Sequence, residues 1–147
     1  MGGHPYWYIV PHEKPQKALE KLREREFKAG RYNPVVMFQR FPITAKTKSP
    51  GAQHKSIEEA MEAADADGTR SILDIATISA TPKFLCASPL GKDVLKQIFG
   101  TTTPSRKDAE EKIHDVLTDI ERGFAVYVEL YDKEKPSEIL FAGYSVD

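Results

Sequence analysis

Lys14, Lys17, Lys21, Arg25 and Lys28 recur at intervals of three and four residues, the spacing that brings side chains onto one side of an α-helix. Five cations in a stripe do one kind of chemistry: they attract an acidic partner. Arg31, Tyr32 and Arg40 follow the stripe, and Lys46, Lys48 and Lys55 come after them, so the basic character runs on into the next segment. Cations interleaved with aromatics also suit single-stranded nucleic acid, where bases stack and phosphates pair. A sequence pI of about 6.4 weighs against that, because nucleic-acid binders carry a basic footprint. Glu13 and Glu24 stand four residues before Lys17 and Lys28, the favourable order for pairing along a helix, so some of the charge is compensated on the helix itself.

No catalytic constellation matches the basic stripe in strength. The histidines His4, His12, His54 and His114 are scattered, with no pair four apart to grip a metal from one helix face. His12-Glu13-Lys14-Pro15-Gln16 opens like a zinc-protease motif but has Gln16 in place of the second ligand and a proline inside it. Asp65, Asp67, Gly68 and Asp74 fit four positions of a calcium loop, yet Ala63 offers no oxygen at the first position and Asp74 is a methylene short of the bidentate glutamate. Neither metal is expected, and no cofactor. Cys86, the single cysteine, sits in the apolar run Phe84-Leu85-Cys86-Ala87, where a buried inert thiol is the default. Ser88, Ser137 and Ser145 lack the glycines of a nucleophile elbow, and no glycine-rich phosphate loop occurs. The best acid–base candidate is Asp74, with Glu129 behind it. Asp74 shares a strand face with Ile72, Ala76 and Ile78 on the expected structure, where Arg70 would pair with it as a structural ion pair.

These residues need elements to hold them. Tyr6-Trp7-Tyr8-Ile9-Val10 reads as a strand ending at Pro11. A helix starts at Pro15, with Ala18, Leu19, Leu22 and Ala29 inward and Gly30 as its stop. Val35 to Phe41 reads as a second strand with Phe38 and Phe41 in the core, and the 14 residues from Pro42 to Lys55 as a loop. Ser56 and Glu59 make a capping box for a helix with Ile57, Ala60, Met61 and Ala64 on its apolar side. Ile72 to Ile78 and Phe84 to Ala87 read as strands joined through Ala80-Thr81-Pro82, and Val94 to Phe99 as a short helix closed by Gly100. Thr103 as cap and Pro104 as first residue begin the strongest helix, through Ala109, Ile113, Val116, Leu117 and Ile120. Two alternating runs around Lys133-Glu134-Lys135-Pro136 form a C-terminal β-hairpin. The expected fold is α+β: one domain spanning 1–147, a mixed or mostly antiparallel sheet, and about four helices mainly on one face.

The composition sets the remaining bounds. With 40% hydrophobic and 29% charged residues, the 147-residue chain is of ordinary globular type and not disordered or disulfide-stapled. One cysteine, no long apolar run and no signal-peptide pattern at the start lead to the expectation of a cytoplasmic protein without membrane attachment. The formal net charge of −1 conceals a split: residues 1–55 hold 11 Lys+Arg against 4 Asp+Glu, and residues 56–147 hold 10 against 18. Either the two parts neutralise each other within the fold, or the first seeks an acidic partner.

The leading reading is a non-enzymatic protein-binding module of adaptor, immunity or antitoxin type. It would engage an acidic protein surface through Lys17, Lys21, Arg25, Lys28, Arg31, Lys46 and Lys48. Single-stranded nucleic-acid binding by the same surface is the second reading, and a small enzyme using Asp74, Arg70 or Cys86 the third. A free edge on the terminal hairpin would allow a homodimer.

Overall fold

The computed structural model describes residues 3–147. Strand β1 (Pro5–Pro11) and helix α1 (Pro15–Ala29) begin the fold. Pro15 occupies the first turn of α1, and Gly30, at φ 72°, ends it in the left-handed conformation that a side chain disfavours. Helix α2 (Ile57–Ala64) follows, capped by the Ser56 hydroxyl, which accepts from the Glu59 N–H. Then come β2 (Thr77–Ile78), β3 (Cys86–Pro89), α3 (Lys92–Phe99), α4 (Arg106–Thr118), β4 (Ala125–Asp132) and β5 (Lys135–Tyr144).

The five strands form one sheet in the order β1-β5-β4-β3-β2. β5 pairs antiparallel with β1 and with β4, whereas β4 with β3, and β3 with β2, run parallel. The sheet is therefore mixed, and the C-terminal hairpin is its centre: β5 lies between β1 and β4, and β4 between β5 and β3. Neither hairpin strand has the free edge that would have allowed a homodimer through it; the edges belong to β1 and the two-residue β2.

The four helices and the α+β class match the sequence reading, but the helices divide between two faces. Tyr6, Tyr8 and Val10 of β1, with Ile139 and Phe141 of β5, pack under Ala18, Leu19 and Leu22 of α1. Leu140, Ala142, Val128 and Leu130 pack on the other face against Ala109, Ile113, Val116 and Leu117 of α4. The cause is in β4 and β5 themselves, whose odd and even positions are both apolar, so each face of the sheet must be covered.

Three elements differ from the reading. Val35 to Phe41 is not a strand. Val36 N–H donates to the Tyr32 carbonyl at 2.9 Å and the Gln39 amide to the Val36 carbonyl at 3.1 Å, so turns satisfy this backbone. Its aromatics split: Phe41 meets Tyr8 edge to face with centroids 5.2 Å apart, but Phe38 is 59% exposed. Ile72–Asp74 coils into a 3-10 turn instead of a strand. Ser71 caps it, and the Asp74 carboxylate accepts from Thr69, local bonds of the kind that compete with a sheet ladder. The α4 cap is Ser105, not Thr103: Ser105 Oγ accepts from Asp108 N–H and the Asp108 carboxylate from Ser105 N–H. The carbonyl of Pro104, the expected first residue, accepts from Tyr131 N–H at 2.8 Å.

Candidate functional site

Glu26 decides the fate of the basic stripe. It lies on the buried side of α1, four residues from Leu22, and is wholly inaccessible. A carboxylate there needs partners, since an unpaired buried charge is costly. Arg31 supplies a two-pronged clamp, Nε to Oε1 at 2.8 Å and Nη2 to Oε2 at 2.6 Å, and Arg25 Nε reaches Oε2 at 2.8 Å. The bond to Glu26 raises the Arg31 pKa against the opposing effect of burial. With its side chain 10% exposed, Arg31 faces Glu26 and not solvent.

The other expected binding residues lie outside. Lys17, Lys21 and Lys28 are exposed along α1. Lys21 pairs with Glu13 at 2.8 Å, and Lys28 with Glu24 at 3.5 Å. Glu13 precedes the helix and reaches Lys21, not Lys17 as the spacing had suggested. These are surface pairs, each worth about 0–1 kcal/mol. Lys17, Lys46 and Lys48 form no ion pair among the described residues.

The loop lysines are held near the helix. Gly51 N–H donates to the Ala29 carbonyl at 2.9 Å and Ser49 Oγ to the same oxygen at 3.4 Å. A Cβ on Gly30 would collide with the Gly51 carbonyl, so the glycine that ends α1 also lets the loop approach. The phenol of Tyr32, buried against Phe27, bonds to His54 at 2.8 Å and fixes the far side of the loop. Lys46 and Lys48 thus belong to a segment tied to the α1 C-terminus beside Lys28.

The charge split is not resolved by pairing between the two parts. Among the described residues, the ion pairs made by residues 3–55 stay inside that segment, except His12–Glu129 at 3.2 Å. Glu13, Glu24 and Glu26 are engaged there, and Glu20 accepts from Gln16 at 3.0 Å. The surplus lysines Lys17, Lys46 and Lys48 are left facing solvent, while Arg23 turns inward to the Leu73 carbonyl at 2.7 Å.

The residues proposed for catalysis do not converge. Asp74 is buried; Thr69 N–H and Oγ1 donate to its Oδ1 at 2.9 and 2.8 Å, while Oδ2 has no partner. Burial raises its pKa, with the Thr69 bonds opposing. Burial, with Asp74 next, also pushes the Tyr6 phenol well above its usual value. Cys86 is buried in β3. The Arg70 side chain points elsewhere: its Nη2 reaches Asp147 at 3.1 Å and Asp67 at 4.0 Å, and not the Asp74 carboxylate. It lines a cavity of about 490 Å³ that neither Asp74 nor Cys86 touches.

That cavity was not visible in the sequence. It opens where β1, β5, α4 and the segment after Asn33 meet, and its walls carry Trp7, Phe41, Tyr144, His4, His114 and Arg70. Glu26 could have been found: a glutamate within the stripe Ala18, Leu19, Leu22 announces a buried ion pair. Among the described residues no group of three or more His, Cys, Asp or Glu could hold a metal ion, and no helix is long and apolar enough to cross a membrane. Compared with protein-family models, with curated proteins and with solved structures, the chain finds no match in any of the three.

Proposed function

We propose that this protein is a non-enzymatic binding module that engages an acidic protein surface through Lys17, Lys21, Lys28, Lys46 and Lys48. Arg25 stands at the margin of that surface and Arg31 supports it from beneath through Glu26. The observation that carries the reading is the one-sided use of charge: the carboxylates of residues 3–55 are engaged within that segment while its surplus lysines face outward. Anchoring of the lysine loop to Ala29 supports taking helix and loop together, and complementary charge of this kind directs both encounter and choice of partner. A cytoplasmic setting and the adaptor, immunity or antitoxin role belong to the same proposal.

The test compares the wild-type chain with Lys17→Glu/Lys46→Glu/Lys48→Glu as bait in nuclease-treated native lysate. The proposal expects a protein retained by the wild type, released by raised salt and absent from the variant. Equal retention by both baits would refute it. An oligothymidylate strand titrated at low salt covers the nucleic-acid reading: tight binding, falling steeply with salt, would replace an acidic protein by a single strand as the ligand of this surface.

A further inference from the structure

The cavity beside Arg70 carries chemistry that the basic surface does not use. Its walls are mostly apolar and aromatic, from Trp7, Phe41 and Tyr144, and the only ionisable side chains among them besides the Tyr144 phenol are Arg70, His4 and His114. No carboxylate is among the lining residues, although that of Asp147 meets Arg70 from beside them at 3.1 Å. A concave apolar space with a few convergent polar groups is the usual form of a small-ligand site.

Arg70 is held there at a cost to the fold. Its backbone is left-handed, φ 53°, a conformation that disfavours any side chain and that persists only where neighbours impose it. The neighbours are Thr69 and Ser71, both buried, which lock the turn through Asp74 and through the Leu73 N–H. The guanidinium is then poorly used. The side chain is nine-tenths buried, Nε has no hydrogen-bond partner, and Nη1 reaches the Met37 carbonyl only at 3.5 Å. Its one good bond goes to Asp147, whose side chain is half exposed. Phe38 lies over the guanidinium carbon at 5.1 Å and beside His4 at 5.0 Å. Phe38 and Met37 are among the most exposed apolar side chains of the chain, 59% and 55%, and they stand at this rim. His4 Nδ1 donates to the Asp147 main-chain oxygen at 2.8 Å, which places the ring beside the Arg70–Asp147 pair.

The geometry points to a binding site for a small organic anion: a carboxylate on a flat or compact apolar body. Its charge pairs with Arg70 in place of Asp147, with His4 beside it, and its body lies against Trp7, Phe41 and Tyr144. Met37 and Phe38 close over it. Arginine favours a planar carboxylate, and the apolar walls reject a bare inorganic anion.

Trp7 is the only tryptophan and lines the cavity, so its fluorescence reports occupancy directly. Benzoate, cyclohexanecarboxylate and hexanoate are titrated into the full chain, with benzamide and inorganic phosphate as the uncharged and bodiless controls. At least one of the three carboxylates is expected to half-saturate a Trp7 signal at or below about 1 mM, the range open to a ligand of this size. Benzamide and phosphate should bind at least tenfold more weakly. Arg70→Gln should weaken binding at least tenfold, and Thr118→Phe, which narrows the mouth from the exposed side of α4, should abolish it with Arg70 intact. Circular dichroism checks that both variants fold. The proposal is overturned if none of the three carboxylates gives a saturable signal, if either control binds as tightly, or if a folded Thr118→Phe binds like the wild type.

Discussion

Arg31 was expected at a partner surface and instead clamps a buried carboxylate, and three alanine substitutions separate the two roles. Glu26 is inaccessible, Arg31 is 10% exposed at the side chain and Arg25 is 44% exposed. Arg31→Ala leaves Glu26 with one half-exposed partner, and Glu26→Ala leaves Arg31 buried with none. Breaking a buried pair from either side costs about 3–5 kcal/mol. Arg25→Ala removes a single bond at the water boundary and should cost no more than about 1 kcal/mol. In a chain of this length each kcal/mol moves the melting temperature by roughly 2–4 °C, so Arg31→Ala and Glu26→Ala should lower it by roughly 6–20 °C and Arg25→Ala by no more than about 4 °C. Thermal and urea unfolding of the three variants and of Glu26→Ala/Arg31→Ala provide the values. The double variant should cost less than the sum of the singles, because no charge is then stranded. If Arg31→Ala costs under about 1 kcal/mol, or as little as Arg25→Ala, Arg31 is not a structural residue and the exclusion of it from the binding surface fails.

Other outcomes follow from the same geometry. Asp74 is protonated more readily in the folded than in the unfolded chain, so the folded state holds its proton as pH rises past the unfolded value, and the charge costs stability above its raised folded pKa. Asp74→Asn should therefore gain stability relative to the wild type as pH rises from about 4 to about 7, and a difference in melting temperature independent of pH would contradict this. The β4–β5 turn places Lys133 and Glu134 at φ 50° and 69°, the pattern of a type I′ turn that favours Asn-Gly. Lys133→Asn/Glu134→Gly should raise the urea midpoint by the equivalent of about 1–2 kcal/mol, and a fall would show that the two side chains matter for more than their backbone. Gly30→Ala should cost about 2–4 kcal/mol from left-handed strain plus the collision with Gly51. It should also speed amide exchange at Gly51, whose N–H bonds to Ala29, and unchanged exchange there would mean the loop is not anchored at that point.

The residues show why some of this could be read from the sequence and some could not. α1, α2 and α3 announce themselves through Pro15, Ser56, Gly30 and Gly100, each a local choice that tertiary packing leaves alone. The double-faced sheet was written in β4 and β5, where Val126, Val128 and Leu130 alternate with Tyr127 and Tyr131, and Leu140 and Ala142 with Ile139 and Phe141. Val35 to Phe41 misled because β propensity describes a half-buried surface, and this segment meets that condition by packing Phe41 on Tyr8 without joining a ladder. Ile72–Asp74 misled because Ser71 and Thr69 offer it local bonds that a pattern of apolar residues does not reveal. For the candidate surface, spacing alone placed Lys17, Lys21 and Lys28 outward, but the burial of Arg31 depends on Glu26, a single charge inside an apolar stripe. The cavity at Arg70 draws its walls from β1, β5, α4 and the segment after Asn33, and proximity of that range is not a property of any window of sequence.

The basic surface is tested most directly by lysine acetylation footprinting of the chain purified alone and bound to its partner from native lysate. Lys17, Lys28, Lys46 and Lys48 should lose reactivity together in the bound form while Lys92, Lys107 and Lys112, exposed on α3 and α4 across the sheet, keep theirs. Protection centred on Lys92, Lys107 and Lys112, with the α1 and loop lysines unchanged, would contradict it.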